Sequence, residues 1–238
     1  DFPSHSGLGG SSAIAAAVLG CFNEFREDPW DAYELSELAF QAERINLNIS
    51  GGWQDQYACT FGGFNFIEFT KETNIIHPLR IQKKTKLELE ENLILCNTGI
   101  SHNSGSIHDN QKDNMKNEDI ENLVKENVNH VYKIKNQLLK NKLSDFGNSL
   151  DISWKSKRQF SSKISSKKID ELYNGAKKNG AIGGKLLGAG GGGFFIFYTS
   201  SHRRHELIKY LKESGLDIFR FTFDELGLQS WKSPEEMY

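Results

Sequence analysis

A glycine-rich loop near the start of the chain runs directly into a small, apolar segment typical of a buried helix. The loop is Pro3-Ser-His-Ser-Gly-Leu-Gly-Gly10, and Ser11 and Ser12 join it to the apolar segment that ends at Gly20. Glycines let successive backbone N–H groups converge on one point, and a helix N-terminus adds partial positive charge. Phosphate is the natural ligand of such a loop, and the two hydroxyls can bind phosphate oxygens or a magnesium ion. An ordinary serine-capped helix fits the same residues, so this pattern alone leaves both interpretations open.

A second glycine-rich loop, residues 183–193, contains the spacing G-x-G-x-x-G at Gly188, Gly190 and Gly193. In dinucleotide-binding folds this spacing follows a strand and opens a helix. Here it leads into the apolar segment 194–198, which is typical of a strand, so we exclude a dinucleotide-binding fold. Neither loop has the Gly-Lys-Ser/Thr ending of a Walker A motif. Consecutive glycines before a strand indicate instead a backbone that passes very close to another segment or to a ligand.

Two carboxylates between the loops have the chemistry that phosphoryl transfer requires. Glu43 lies near the C-terminal end of a helix that we expect to begin with Asp28 as its N-cap, and Asp55 lies 12 residues after Glu43 in a glycine-bearing loop. Phosphoryl transfer needs a magnesium ligand and a group that accepts or orients the hydroxyl proton. Taken alone, the two acids fit ordinary roles better, with Glu43 in an ion pair with a neighbouring Arg or Lys and Asp55 capping a turn.

Together, the two loops and the acidic segment resemble, in this order, the GHMP superfamily of small-molecule kinases. The first loop is similar to that family's phosphate loop, P-x-x-x-G-L-G-x-S-S-A, and residues 185–193 are similar to its C-terminal glycine motif, which packs beside the phosphate loop. Within the superfamily the chain resembles the bacterial D-glycero-D-manno-heptose 7-phosphate kinases. The segments that carry this closer resemblance are Gly51-Gly-Trp-Gln-Asp-Gln-Tyr57, Gly62-Gly-Phe-Asn-Phe-Ile-Glu68, Asn97-Thr-Gly-Ile-Ser101 and Lys168-Ile-Asp-Glu-Leu-Tyr173.

The resemblance implies ATP and Mg²⁺ as the cofactors and assigns residues to them. Ser12 and Glu43 would hold the magnesium ion, and Asp55 would act as the catalytic base, or as an orienting charge, towards the anomeric hydroxyl of a sugar. The residues that would bind the ATP phosphates are Gly7, Leu8, Gly9, Gly10, Ser11, Ser12, Gly188, Gly190 and Gly191.

Four further residues are candidates for binding the sugar phosphate. Gly52, Gln54 and Gln56 flank the proposed base, where the glutamines would hydrogen-bond sugar hydroxyls or else stabilise the turn. Lys157 belongs to a basic stretch, residues 155–168, that fits a substrate carrying its own phosphate. Charge runs are usually solvated faces, and that alternative stays open for the stretch.

The expected reaction is ATP-dependent phosphorylation of D-glycero-D-manno-heptose 7-phosphate at its anomeric hydroxyl, which gives the 1,7-bisphosphate on the route to surface polysaccharides. Another GHMP kinase that acts on a free sugar such as fucose or galactose is one alternative. A catalytically silent GHMP-fold protein that only binds a sugar or a partner is another, although the presence of both Glu43 and Asp55 opposes it.

Composition and patterning set the fold class and exclude several functions. We expect an α+β protein with the two-domain GHMP kinase fold. Residues 1–82 would form the remainder of an N-terminal phosphate-loop domain, truncated before the loop, and residues 83–238 a C-terminal ferredoxin-like α/β sandwich.

The net charge of −2 gives no reason to expect nucleic acid as a partner, and the longest apolar run, residues 13–19, is too short to span a membrane. Three widely spaced cysteines fit neither a disulfide framework nor a zinc site, so a cytoplasmic location is expected; a homodimer is left open.

Overall fold

The computed structural model describes residues 7–100, 104–115 and 117–233, and its contacts divide the chain into two compact units. Of the described residues, the N-terminal unit comprises those within 9–79 and 224–233, and the C-terminal unit comprises Gly7, Leu8 and those within 80–223. The domain boundary expected at residues 82 and 83 stays a prediction. No helix among the described residues is long and apolar enough to cross a lipid bilayer.

The N-terminal unit is built from three helices and a hairpin. Helix α1 spans Gly10–Asn23, α2 spans Ala32–Phe40 and continues into a π-helical turn at Gln41–Asn46, and α3 spans Gln54–Phe61. Strands β1 (Asn65–Phe69) and β2 (Asn74–Pro78) pair antiparallel. Helix α2 begins three residues later than expected, because Asp31 rather than Asp28 caps it. The Asp31 side chain accepts from the Glu34 N–H, and the Glu34 side chain accepts from the Asp31 N–H.

Helix α1 lies where a helix was expected, but it is not buried on all sides. Ser12, Ala16 and Gly20 form its buried face, and the helix runs through Gly20 to Asn23. On the opposite face Ile14 and Phe22 are 68% and 65% exposed. The expectation of a fully buried helix is therefore wrong for the described residues, because only the small side chains face α2 and α3.

The C-terminal unit is an antiparallel sheet covered by helices. Its elements follow in the order α4 (Lys83–Asn92), β3 (Leu93–Asn97), α5 (Ser104–Asn114), α6 (Glu118–Leu139), α7 (Leu143–Lys157), α8 (Lys167–Lys178), β4 (Ala181–Leu186), β5 (Phe194–Thr199), α9 (Arg204–Glu213) and β6 (Asp217–Phe219). The strands lie in the order β4-β5-β3-β6, and every neighbouring pair is antiparallel. A strand, a helical connection, two adjacent strands, a helix and a last strand in this order form the expected ferredoxin-like arrangement.

Aromatic side chains fill the core between this sheet and its helices. Trp154 of α7 and Tyr173 of α8 are buried against Phe195 and Phe197 of β5. Large rings bury much apolar surface per residue, so these four side chains fix how α7 and α8 lie on the sheet.

Two glycines allow the backbone of α7 to pack directly against the backbone of strand β4. A Cβ on Gly183 of β4 would overlap the carbonyl oxygen of Gly147 in α7, and a Cβ on Gly147 would collide with the ring of Tyr198. Backbone atoms in packed elements cannot move aside as a flexible side chain can. The run of small residues in β4 is thus a packing requirement of the C-terminal unit.

We therefore expect Gly183→Ala to destabilise the protein by about 3 kcal/mol or more, because the added methyl group forces α7 away from the sheet. Urea unfolding followed by circular dichroism measures the loss. Gly10→Ala is the matched control, since a Cβ at Gly10 meets no atom of the described residues within 4 Å. Equal unfolding midpoints for the two variants would contradict the close approach of α7 and β4.

Candidate active site

A buried carboxylate, Glu43, joins three segments of the N-terminal unit. Glu43 lies in the π-helical turn and is 2% exposed. Its Oε2 atom accepts hydrogen bonds from Ser12 Oγ at 2.6 Å and from Gln56 Nε2 at 2.5 Å, and its Oε1 atom accepts one from Ser11 Oγ. Widened π-helical turns of this kind are frequent at functional sites. The first turn of α1, the π-helical turn and helix α3 thus meet at one carboxylate.

Asp55 lies against the glycine loop in the same unit. It stands in the first turn of α3, where the positive end of the helix dipole favours a carboxylate. A Cβ placed on Gly9 would lie 3.5 Å from both Cβ and Cγ of Asp55. Gly9 also has a φ angle of +72°, a conformation that glycine adopts without strain. Glycine at this position therefore lets the loop follow its path beside the Asp55 side chain.

Cys59 lies one helical turn after Asp55, and the pKa of its thiol is sensitive to the charges of both Asp55 and Glu43. Its Sγ atom lies 3.9 Å from the carbonyl oxygen of Gly9. Burial, together with the negative charges of Asp55 and Glu43, raises the pKa of the Cys59 thiol to about 11. The thiol therefore stays protonated at neutral pH, and its reactivity depends on the two acids beside it.

The predicted sugar contacts differ in their surroundings. Gln54 and Gly52 are exposed, and a Cβ on Gly52 would meet no atom within 4 Å in the part of the chain that the structure describes. Gln56 is fully buried, and its Oε1 atom has no hydrogen-bond partner among the described residues, whereas its Nε2 atom donates to Glu43. The structure thus makes Gln56 a partner of Glu43, and its role towards a sugar stays a prediction.

In the C-terminal unit the second glycine loop packs against the start of the first loop. A Cβ on Gly188 would lie 2.7 Å from the carbonyl oxygen of Gly7, and Gly188 has a φ angle of +62°. Lys157, at the end of α7, donates a hydrogen bond from Nζ to the carbonyl oxygen of Gly188. The predicted residues Gly7, Lys157 and Gly188 are therefore close neighbours. Gly190 and Gly191 also have positive φ angles and continue the same loop.

The oxygen atoms around Glu43 suit a magnesium ion. Ser12 Oγ and Glu43 Oε2 lie 2.6 Å apart, and hydroxyl and carboxylate oxygens are of the kind that Mg²⁺ takes as ligands. Ser12 uses its hydroxyl proton in the bond to Glu43, so its lone pairs remain available as ligands. The described residues contain no group of three or more His, Cys, Asp or Glu side chains that could hold a metal. A few protein oxygens completed by phosphates and water are usual for Mg²⁺.

Two neighbours of the site escaped sequence reasoning. Cys59 stands four residues after Asp55, a spacing that would have placed both on one helix face had the segment been recognised as a helix. Lys185 begins the second glycine motif identified in the sequence, but it was given no role there; burial lowers its pKa. Its position in a strand whose other residues are small or apolar was the sequence feature that could have drawn attention to Lys185.

We expect Glu43→Gln to lower the free energy of unfolding by about 2 kcal/mol. The carboxylate now accepts hydrogen bonds from buried donors, whereas the amide nitrogen of a glutamine cannot accept one. At least one buried donor would therefore lose its hydrogen bond. Chemical denaturation measures the change, and Glu27→Gln, at an exposed acid, is the control. Stabilities that agree between the two variants would show that the Glu43 hydrogen bonds do not support the site.

Cys59 should react slowly with iodoacetamide at pH 8, whereas the exposed Cys21 should react readily. Because the Cys59 pKa is about 11, its rate should rise about tenfold per pH unit until the pH approaches that value. Removing one of the nearby charges with Asp55→Asn lowers the pKa and should speed labelling of Cys59 about threefold or more. Mass spectrometry of each cysteine measures the rates, with Cys21 as the internal reference. If Asp55→Asn left the labelling rate of Cys59 unchanged, the Asp55 carboxylate would have to lie too far from the Cys59 thiol to affect its pKa.

Comparison with known proteins agrees with these features. Residues 1–63 match the family description "GHMP kinases N terminal domain", and residues 134–216 match "GHMP kinases C terminal". The chain is 36% identical over 240 residues to D-glycero-alpha-D-manno-heptose 7-phosphate kinase of Campylobacter jejuni, an alignment that covers 98% of this chain and 69% of the relative.

Two crystal structures are also similar. One, described as a D-glycero-D-manno-heptose 1-phosphate kinase from Bacteroides thetaiotaomicron, has a TM-score of 0.76 and 29% identity over 98% of this chain and 66% of its own. The other, a putative sugar kinase from Campylobacter jejuni, has a TM-score of 0.71 and 35% identity over 96% of this chain and 66% of its own. The chain spans about two thirds of the length of these relatives. It belongs to the GHMP kinases, a family of ATP-dependent phosphotransferases with this α+β fold.

Proposed function

We propose that the protein is an ATP-dependent kinase that phosphorylates the anomeric hydroxyl of D-glycero-D-manno-heptose 7-phosphate to give the 1,7-bisphosphate. One observation carries the kinase assignment: two carboxylates, Glu43 and Asp55, lie at a glycine loop that leads into a helix N-terminus, and two serines of that helix bond to Glu43. Backbone amides at such a terminus suit the phosphates of ATP, and carboxylates suit the metal and the proton transfer.

In this proposal the first loop, residues 7–12, and the second loop at Gly188, Gly190 and Gly191 bind the ATP phosphates. Ser12 and Glu43 hold Mg²⁺, which when bound supplies positive charge that offsets the charge of the phosphates. Gln56 keeps the Glu43 carboxylate in place through its amide, in addition to the sugar contact predicted for it.

Asp55 accepts or orients the proton of the sugar hydroxyl. Its place in the first turn of α3, held against Gly9, fixes the carboxylate relative to the loop that carries the phosphates. Positioning of this kind supplies much of the rate of phosphoryl transfer, since the transition state requires little covalent help from the protein. Gly52 and Gln54 contact the sugar from the exposed segment before α3.

The names of the relatives support a heptose phosphate as substrate. The Campylobacter jejuni relative is named for a heptose that carries its phosphate at carbon 7, whereas the Bacteroides thetaiotaomicron structure is described with the phosphate at carbon 1. We choose the 7-phosphate because the sequence relative is more similar to this chain. The product would then supply nucleotide-activated heptose for surface polysaccharides, a cytoplasmic step.

Release of ADP from ATP and Mg²⁺ tests the proposal. We expect turnover with heptose 7-phosphate and little with heptose 1-phosphate, fucose, galactose or mevalonate. Asp55→Asn should lower kcat by about 10²–10⁴-fold while KM changes little, because a base acts in the transition state and not in binding. Asp28→Asn, at an exposed acid outside the site, is the control.

Two outcomes would overturn parts of this proposal. Binding of ATP and Mg²⁺ without turnover of any sugar would indicate a silent binding protein. Full activity in Asp55→Asn would leave the kinase assignment intact but remove Asp55 from the proton transfer.

A further inference from the structure

Helices α2 and α3 of the N-terminal unit pack through aromatic side chains. On α2 the rings of Tyr33 and Phe40 face α3, and the facing residues of α3 and its N-cap are four apart in sequence: Trp53, Tyr57 and Phe61. The ring of Phe40 stacks on that of Trp53 with centroids 4.2 Å apart, and the ring of Tyr33 meets that of Phe61 edge-on at 4.9 Å. Apolar contact is non-directional, so these rings alone do not fix the rotation of α3 about its axis.

One carboxylate, that of Glu37 in α2, lies in this aromatic interface and bonds to both ends of the first turn of α3. Its Oε2 atom accepts a hydrogen bond from Trp53 Nε1 at 3.3 Å, and its Oε1 atom accepts one from the Tyr57 hydroxyl. The Asn74 amide, at the start of β2, donates to Glu37 Oε1 at 2.7 Å and to the Tyr57 hydroxyl at 3.2 Å. Burial and the bond to Glu37 raise the pKa of Tyr57 to about 12, so its hydroxyl stays a donor at neutral pH.

The two bonded residues stand symmetrically about Asp55. Trp53 comes two residues before Asp55 and Tyr57 two residues after it. Two residues turn an α-helix by about 200°, so Asp55 lies on the side of α3 opposite to the face that Glu37 holds. On that side a Cβ on Gly9 would lie 3.5 Å from Asp55 Cβ, and Cys59 Sγ lies 3.9 Å from the Gly9 carbonyl oxygen. The rotation of α3 therefore determines where the Asp55 carboxylate points.

A carboxylate is not needed to pack these aromatic rings together. Glu37 is partly buried, and its described donors are an indole N–H, a phenol and an amide, all of them neutral. Removing a charge from water without an opposite charge beside it costs free energy, and an uncharged side chain of similar size would fill the interface without that cost. What the carboxylate adds is a pair of acceptor oxygens that fix the direction of α3.

We propose that Glu37 is a positioning residue of this kinase, which sets the rotation of α3 and so directs the Asp55 carboxylate toward the reacting hydroxyl of the acceptor. The role of Asp55 rests on the proposed function. The rotation of α3 does not, and it can be measured without turnover.

Cysteine labelling measures the position of α3. Glu37→Gln keeps the size of the side chain, but its amide nitrogen cannot accept a hydrogen bond, so at least one bond to α3 is lost. The helix is then free to turn and to carry Cys59 away from Gly9. Labelling of Cys59 by iodoacetamide at pH 8 should rise about fivefold or more relative to the exposed Cys21. Glu27→Gln, at an exposed acid, should leave this ratio unchanged.

A second variant covers the case in which Glu37→Gln fails to fold. Tyr57→Phe removes one donor to Glu37 and keeps the ring, so it should raise the Cys59 rate in the same direction but by less. Cys96, buried in β3, should stay unlabelled in both variants as long as the C-terminal unit is folded.

Kinetics separate a positioning role from a merely structural one. Glu37→Gln should lower kcat about tenfold with KM for ATP and the acceptor little changed, because a misdirected carboxylate is felt in the transition state. In the Asp55→Asn background the same substitution should lower kcat by less than about twofold, since Glu37 acts through Asp55. A structural defect would instead lower kcat by the same factor in both backgrounds.

The results that overturn the inference differ from those that overturn the proposed function. A Cys59 rate in Glu37→Gln and Tyr57→Phe equal to that of Glu27→Gln would show that Glu37 does not set the position of α3, whatever the protein phosphorylates. Equal losses of kcat in both backgrounds would remove the positioning role. Faster Cys59 labelling without turnover of heptose 7-phosphate by the unmodified protein would support the hold of Glu37 on α3 while the proposed function fails.

Discussion

The arrangement of the N-terminal unit depends on one buried carboxylate. Glu43 accepts hydrogen bonds from three neutral donors that come from two different helices, and it is almost fully excluded from water. A buried carboxylate is costly unless its oxygens are satisfied, so the first turn of α1 and helix α3 must both approach the π-helical turn. That requirement also fixes Asp55, since it shares the first turn of α3 with Gln56.

A second anchor holds the other side of α3. The carboxylate of Glu37 in α2 accepts hydrogen bonds from Tyr57, from Asn74 at 2.7 Å and from Trp53 at 3.3 Å. Glu37 and Glu43 are six residues apart, and each bonds to α3. Two attachments restrict the rotation of a short helix far more than one, which suits a segment whose role is to orient a single carboxylate.

Local sequence patterns indicated which residues could carry the chemistry, but they did not indicate the contacts between those residues. The glycine loop and the two acids follow from motifs, and the ferredoxin-like arrangement of the C-terminal unit follows from the resemblance that those motifs carry. The prediction of a glycine-rich loop over 183–193 was wrong for its first residues, because β4 (Ala181–Leu186) pairs with β5 through them. The bond between Gln56 and Glu43 could not be predicted, because both residues are polar and neither spacing nor periodicity indicates a long-range contact. The exposed face of α1 was missed for a related reason: an apolar segment suits burial, but composition does not tell what covers it. Asp28 and Asp31 are both acceptable N-cap residues, but only Asp31 is followed three residues later by a glutamate, Glu34, which forms the capping box; that spacing was the sequence feature that could have identified the start of α2.

The hydrogen bonds of Glu43 satisfy its oxygen atoms without neutralising its charge. All three described donors to Glu43 are neutral groups, the hydroxyls of Ser11 and Ser12 and the amide of Gln56, so a cation would bind beside this carboxylate favourably. Desolvated charge is costly without an opposite charge, so a bound cation would also stabilise the N-terminal unit. In the proposed kinase that cation would be the magnesium ion, whose charge offsets that of the ATP phosphates.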